Sequence, residues 1–140
     1  MGRHHHYCNN IDFEIAFCEG ILTKAPDFMQ ALMVLGDLYT KKGWYEKGLE
    51  IDRKLSQLRP HDPLIQYNLA CSYSLMNDID AAFRSIKRAI RCGYDDFQYL
   101  WQDKDLENLI KTTRFRLFFK KLTEHKGDLT LRNKPDAGAR

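Results

Sequence analysis

The sequence has no long hydrophobic run, and this absence excludes one class of protein. Its apolar stretches are only a few residues long, whereas a membrane-spanning helix needs about 20 apolar residues. The first residues also lack the apolar core of a signal peptide. We therefore expect no membrane partner and, by default, a cytoplasmic location.

Cysteine is scarce, and its positions match no common metal-binding or redox spacing. Cys8, Cys18, Cys71 and Cys92 form no Cys-x-x-Cys pair. An intracellular chain keeps such thiols reduced. We interpret these side chains as small hydrophobic residues.

The nearest approach to a metal-ligand cluster is the run His4, His5 and His6, followed by Cys8. The segment is short and terminal, although imidazole and thiolate groups do bind metal ions. We interpret it as the remnant of a purification tag or as a frayed end, and we predict no metal site.

Recognisable catalytic patterns are also missing. The sequence has no glycine-rich phosphate loop and no Ser or Cys nucleophile with a suitably spaced His, and His61 and His125 are isolated. Asp103 and Asp105 resemble a carboxylate pair, but at a helix start such residues usually act as caps. We predict a protein that is not an enzyme and has no cofactor.

The composition is that of one globular domain. With 140 residues, of which 44% are hydrophobic and 12% aromatic, the chain can bury a single core. Residues 127–140 are polar and contain Gly, Pro and charges without any period. We assign residues 1–126 to the domain and expect residues 127–140 to form a disordered tail.

Two kinds of helix-ending residue recur in this chain with the same period of 34 residues. Residues that tolerate the left-handed backbone conformation stand at Asn9, Gly43 and Asn77. A second series marks the gap before the next helix and consists of Pro26, Pro60 and Tyr94. A shared period of this length predicts a stacked array of helix pairs.

The residues between these marks repeat as well. Leu32, Leu35, Gly36 and Tyr39 are followed one period later by Gln66, Leu69, Ala70 and Tyr73. Leu35, Gly36 and Tyr39 fill the Leu-Gly-x-x-Tyr part of the tetratricopeptide repeat signature, and the small Gly36 and Ala70 let antiparallel helices approach closely. Over about half its length the chain resembles the tetratricopeptide repeat superfamily.

This resemblance implies an all-α fold, a short α-solenoid of antiparallel helix pairs with a helical C-terminal cap. Complete repeats would span 27–60 and 61–94, with helices at 27–42, 44–58, 62–76 and 78–91. Asp62 and Asp78 are candidate helix caps. Asp52 stands where the family has a buried aromatic residue, and we expect it at a solvated edge.

The two ends of the array differ from the repeats. Residues 9–26 read as a half repeat with one helix at 11–24, and Gly2 and His5 would belong to a stub of its missing partner. Residues 95–124 read as a cap of short helices at 95–101, 103–110 and 113–123. The residues that would cover the last repeat are Leu106, Leu109, Ile110, Phe115, Phe118 and Leu122.

The resemblance also implies a site, because the first helices of such repeats line a concave groove that receives a peptide. In the first repeat the groove stripe would be Gln30, Met33, Val34, Asp37 and Lys41. In the second it would be Leu64, Tyr67, Asn68, Cys71 and Leu75, with Trp101 and Gln102 continuing it. These residues suit a partly apolar peptide whose backbone Asn68 would hold. Alternatively, Met33, Leu64 and Trp101 could simply pack under the terminal segments.

One family subclass clamps a peptide's C-terminal carboxylate with Lys, Asn and Arg side chains. Only Asn68 matches that clamp here. Met33 and Asp37 stand at positions where it has Lys and Asn, and Gln98 and Gln102 on the third helix are not cationic. We therefore argue against a carboxylate clamp.

Charge is unevenly distributed along the chain. Residues 1–83 hold 8 Lys or Arg against 11 Asp or Glu, whereas residues 84–126 hold 11 against 6. A basic face is formed by Arg84, Lys87, Arg88 and Arg91. It is either a solvated surface or a site for an acidic protein; nucleic acid is a weaker candidate because no aromatic residues interleave these charges.

A further possibility involves the unpaired first helix. Phe13 and Phe17 would be exposed there, and they could dock on another copy of the chain or on a larger complex. The chain would then be a structural subunit and not a peptide-binding adaptor or scaffold.

Overall fold

The computed structural model describes the backbone of residues 2–133 and the side chains of residues 10–125. The helices are α1 (Gly2–Lys24), α2 (Met29–Lys42), α3 (Tyr45–Leu58), α4 (Pro63–Leu75), α5 (Ile79–Arg91), α6 (Phe97–Gln102), α7 (Glu107–Ile110) and α8 (Thr113–Asn133). A 3-10 turn (Lys104–Leu106) lies between α6 and α7. The described part of the chain contains no strand, and its helices pack in adjacent pairs. The predicted all-α solenoid is confirmed.

The turns between paired helices lie where the period placed them. Gly43 ends α2 with φ 81°, and Asn77 follows α4 with φ 61°. Both are left-handed conformations that Gly adopts without cost and Asn tolerates. The Gly43 N–H donates to the Thr40 carbonyl at 3.0 Å, so one of the last carbonyl groups of α2 has a hydrogen-bond partner.

The first mark of the same series does not end a helix. Asn9 lies inside α1, which runs without a break from Gly2 to Lys24. The expected stub of a separate preceding helix is therefore wrong at the backbone level. An isolated Asn costs a helix only a few tenths of a kcal/mol relative to Ala, so the residue alone does not force a turn. The side chains of His4, His5, His6 and Cys8 lie outside the described residues.

Aspartates begin four of the later elements. Asp62 accepts hydrogen bonds from the N–H groups of Leu64 and Ile65, and Asp78 accepts one from Ala81. Asp96 and Asp103 cap α6 and the 3-10 turn in the same way. The capping roles predicted for Asp62 and Asp78 are confirmed, since each satisfies N–H groups that have no partner inside the helix.

Small residues lie where the paired helices cross. A Cβ atom at Gly36 would be 3.1 Å from Asp52 Oδ1 and 3.2 Å from Ile51 Cγ2, and one at Gly48 would be 3.0 Å from Thr40 Oγ1. In the second repeat the corresponding contact is made by fully buried alanines, Ala70 and Ala82. The two helices of each pair can approach this closely only because these side chains are small.

Asp52 is buried, contrary to the prediction of a solvated edge. It is 7% exposed and lies on α3, where the Ser72 hydroxyl donates a hydrogen bond to its carboxylate. Burial raises the pKa of Asp52 from 3.8 to about 7, and the Ser72 hydrogen bond opposes this rise. The prediction failed because Ser72, which donates this hydrogen bond, lies on the next repeat. A contact between residues so far apart in the sequence leaves no local pattern.

The C-terminal elements cover the last repeat as predicted. Leu106, Leu109, Ile110 and Phe115 are buried in one cluster with Ala82. Phe118 packs against this cluster and Leu122 is half-buried. The cap is also fixed by hydrogen bonds to α4, because the Leu109 N–H donates to Ser74 Oγ at 3.2 Å and Asn108 Nδ2 donates to the Ser74 carbonyl at 3.0 Å.

The last helix is longer than predicted. It continues from Thr113 to Asn133, through residues 127–133 that were expected to begin a disordered tail. No proline interrupts this stretch, and the single Gly127 costs a helix only about 1 kcal/mol. Residues 134–140, the rest of the expected tail, lie outside the described part of the chain.

Among the described cysteines, Cys18 and Cys71 are buried and Cys92 is half-buried, all with free thiols. This agrees with their interpretation as small hydrophobic residues. Within the described residues, no helix combines the length and the apolar character needed to cross a membrane.

Replacing Gly36 by Val should lower the free energy of unfolding by about 2 to 4 kcal/mol, because the added carbons would collide with Ile51 and Asp52. Urea unfolding monitored by circular dichroism measures this change. The matched control is Gly20→Val, since Gly20 lies on exposed α1 with no atom near its Cβ position; it should shift stability by about 0.5 kcal/mol or less. Equal effects of the two substitutions would contradict the close approach at Gly36.

Asp52 should make the protein less stable as pH rises from about 4 to about 7. The native pKa is raised, so the stabilising, protonated form is fully present below the unfolded pKa and is lost as pH rises through the native pKa. Asp52→Asn should remove this dependence and be more stable than wild type above pH 7, by at most about 4 kcal/mol. Urea unfolding at several pH values tests this, with Asp95→Asn as an exposed control. An Asp52→Asn variant that is equally destabilised at acidic and neutral pH would rule it out.

Candidate protein-binding groove

A groove of about 450 Å³ runs along the inner side of the two repeats. Residues of α2 and α4 form two of its walls, and the end is closed by α6 and the 3-10 turn. The first helix of each repeat thus contributes to the lining of this groove, and the cap adds a third side. The groove is preformed because its walls are parts of packed helices.

The exposed part of the groove is mixed in character. Met33 is 39% exposed and Leu64 is 49% exposed, so both present apolar surface to the groove. Asn68 lines the same groove, is also exposed, and offers an amide that can both donate and accept hydrogen bonds. This combination can contact apolar side chains and a peptide backbone at once.

Tyr67 is more deeply buried than expected for a residue that contacts a bound peptide. It is 3% exposed, its hydroxyl donates to Asp103 Oδ2 at 2.6 Å, and its ring stacks on Tyr94 with 4.3 Å between centroids. Burial raises the pKa of Tyr67 well above its usual value and that of Tyr94 to about 12. Both phenols are therefore neutral hydrogen-bonding groups, and Tyr67 forms the floor of the groove.

Cys71 is part of the same floor. Its Sγ lies 3.7 Å from Asp103 Oδ2, and burial followed by the charge of Asp103 raises the pKa of the thiol. The neutral thiol is thus a weak donor. Asp103 accordingly joins α4 to the cap.

Five of the predicted groove residues, Gln102 among them, do not line it. Gln30 and Val34 are exposed on α2 beside the lining residues. Lys41 forms an ion pair with Asp37 at 3.2 Å, and Trp101 stacks on Phe119 with 4.7 Å between centroids. Trp101 belongs to the surface of the cap because its position on short α6 turns it toward α8.

The structure also brings in residues that the repeat pattern did not identify. On the C-terminal side they are Tyr94, the last residue of the second repeat, and Asp96, Tyr99, Asp103 and Asp105 of the segment after it. The Asp-rich helix starts were the available signal, and they were interpreted only as caps. Asp103 does cap the 3-10 turn, and it faces the groove at the same time.

The groove is acidic. Burial, followed by the charges of Asp103 and Asp37, raises the pKa of Asp105. These carboxylates are therefore near enough to affect one another, although they come from α2 and from the cap. The part of the chain that the structure describes contains no group of three or more His, Cys, Asp or Glu side chains placed to hold a metal ion.

The basic face on α5 is separate from the groove. Arg84, Arg88 and Arg91 are exposed, while Lys87 is half-buried with its Nζ 4.6 Å from the centroid of the Phe83 ring. On the adjacent α8, Arg114 pairs with Asp80 at 2.7 Å. Part of the positive charge is thus already in contact with neighbouring side chains.

The first helix exposes the two phenylalanine side chains that were expected at its surface. Phe13 and Phe17 are 69% and 61% exposed, and their rings stack with 6.3 Å between centroids. The opposite side of α1 buries Ile15 and Cys18 against α2. The helix therefore has apolar residues on two sides, of which one is covered.

Comparison with known proteins agrees with the repeat pattern. The family model described as tetratricopeptide repeat matches residues 64–91, which comprise α5 and all of α4 except its first residue. The chain is also 33% identical over 89 residues to a protein of Arabidopsis thaliana whose name describes it as chloroplastic. That alignment covers 61% of this chain and 27% of the relative. Because the relative is a chloroplast protein by name, the expected cytoplasmic location is not confirmed. The family model thus covers one repeat, and the paired helices of the described residues are those of a tetratricopeptide-like solenoid.

Proposed function

We propose that the protein is a non-catalytic adaptor whose concave groove holds a segment of another protein. Tetratricopeptide repeats are typically non-catalytic folds that mediate protein interactions. The observation that carries the proposal is the preformed groove of about 450 Å³, whose lining includes the exposed side chains of Met33, Leu64 and Asn68.

The physical basis is that little must be ordered before binding. The groove walls are helices whose opposite sides are buried, as Leu32 and Leu35 show on α2. A bound segment therefore bears most of the entropy loss itself, and preorganised sites lose less affinity on binding than flexible ones. Met33 also has several rotamers with which to fit different apolar side chains.

Within this proposal the residues have distinct roles. Met33 and Leu64 contact apolar side chains of the partner, and Asn68 bonds to its backbone. Tyr67 and Cys71 keep the floor in place through Asp103. Gln30, Val34 and Lys41 share the exposed side of α2 with Met33 and extend the contact surface.

A triple variant, Met33→Ala, Leu64→Ala and Asn68→Ala, should lose partner binding while it remains folded. Each true anchor contributes about 1 to 2 kcal/mol, so the affinity should fall at least tenfold. Affinity capture from an extract of the native cells, followed by mass spectrometry, gives the partner. Titration of that partner against both proteins then gives the two dissociation constants.

The matched control replaces three exposed residues outside the groove: Gln57→Ala, Leu58→Ala and Leu117→Ala. Circular dichroism should show the same helicity for both variants. Tyr67 is left unchanged because its buried hydroxyl holds the cap. If the groove variant captured the same proteins with unchanged affinity, the proposed function would be wrong.

A second candidate is a structural role in which α1 docks on another copy of the chain or on a larger complex. It is favoured by the stacked, exposed pair Phe13 and Phe17. Adjacent aromatic side chains on one exposed helix face are typical of interaction surfaces.

Sedimentation equilibrium tests self-association through this pair. If α1 docks on a second copy, wild type should show a mass that rises with concentration, and Phe13→Ser with Phe17→Ser should remain monomeric. Each buried phenylalanine contributes about 1.5 to 3 kcal/mol, enough to weaken a dimer more than tenfold. A wild-type mass that stays monomeric at high concentration would reject the homo-oligomer.

A further inference from the structure

The charges in the groove are of one sign. Five aspartates line it, from α2, α3 and the cap segment, and no Lys, Arg or His among the described residues does so. Lys41 pairs with Asp37 from outside the lining. The groove therefore has a negative potential that its own side chains do not neutralise.

The aspartates differ in how well they are satisfied. Asp52 accepts a hydrogen bond from Ser72, and Asp96 accepts one from the Tyr99 N–H at 3.1 Å. Asp103 accepts from Tyr67 and from the N–H of Asp105. These are hydrogen bonds from neutral donors, so they bring no positive charge into the groove.

Asp105 is the exception. Among the described residues its half-buried carboxylate has neither an ion pair nor a side-chain hydrogen bond, and it lies near the charges of Asp103 and Asp37. Partial burial makes an unpaired carboxylate costly. A cation supplied by a ligand would reduce that cost.

An exposed aromatic ring stands beside these carboxylates. Tyr99 is 57% exposed, lines the groove, and lies 6.2 Å from the Tyr67 ring between centroids. The face of a tyrosine ring attracts an ammonium or guanidinium group. Carboxylates next to an open ring face form a good environment for a Lys or Arg side chain.

We propose that the segment bound in the groove is basic, and that one of its Arg or Lys side chains lies between the Asp105 and Asp103 carboxylates and the ring of Tyr99. This inference rests on the proposed function of the groove and names the chemistry of its occupant. The charge preference is opposite to that of a cationic site for a peptide carboxylate.

Other occupants fit less well. An acidic segment would place like charges beside Asp103 and Asp105, which costs binding energy. A bare metal ion would need several ligands converging on one point, and the described residues provide no such group. A basic side chain needs only contacts spread along its length.

Fluorescence anisotropy with labelled extended peptides tests the inference. Three peptides of equal length share one apolar pattern and carry Arg, Gln or Glu at the same positions. The Arg peptide should bind about tenfold more tightly than the Gln peptide, and the Glu peptide more weakly than both. The advantage of the Arg peptide should shrink at high salt.

Variants locate the effect. Asp105→Asn and Tyr99→Leu should each weaken the Arg peptide by about two- to fivefold and leave the Gln peptide unchanged. Asp95→Asn is the matched control, since it removes one exposed negative charge near α6 that does not line the groove; it should change neither peptide. Circular dichroism confirms that all variants are folded.

The outcomes separate this inference from the function on which it rests. Equal binding of the Arg and Gln peptides, or an unchanged Arg affinity in Asp105→Asn, would overturn the basic occupant. The adaptor function would still stand if partner binding depended on Met33, Leu64 and Asn68. Absence of binding by all three peptides would also overturn the inference. Partner capture that does not depend on Met33, Leu64 and Asn68 would instead overturn the adaptor function itself.

Discussion

Close contact between the two helices of each pair is the constraint on which the rest of the structure depends. At Gly36 and Gly48 a single added carbon would lie within about 3 Å of the partner helix, and Ala70 and Ala82 are completely buried at the corresponding crossing. Helices this close bury their apolar stripes on each other, and successive pairs then stack. The inner face of the stack becomes the groove, so the site follows from the packing of small residues elsewhere.

A stack of this kind has an exposed end, and the cap covers it in a way that also completes the groove. Phe115 and Leu106 close the hydrophobic core of the last repeat. On the other side of the cap, the Asp103 carboxylate accepts a hydrogen bond from the Tyr67 hydroxyl and so connects α4 to the start of the 3-10 turn. The same segment thereby stabilises the solenoid and supplies the acidic wall that distinguishes this groove.

The sequence predicted the fold well because its signals are local and periodic. Gly43, Asn77 and the capping aspartates each determine the backbone of their own turn, so the four repeat helices lie where the period placed them. Asn9 occupies the same position in the period but ends no helix, because α1 continues through it. The length of α8 was missed because polarity alone does not stop a helix.

The site was predicted less completely, for a different physical reason. The resemblance implied a groove lined by the first helices, and helical periodicity within each helix then placed Met33, Asp37, Leu64, Asn68 and Cys71 on that side. Asp52 and Ser72, or Tyr67 and Asp103, meet only when separate helices pack.

Site-specific photocrosslinking tests the central claim, a partner held in the groove, most directly. A crosslinking amino acid at position 68 should capture a partner protein while one at position 88, on α5, should not; capture from position 88 alone would contradict the account.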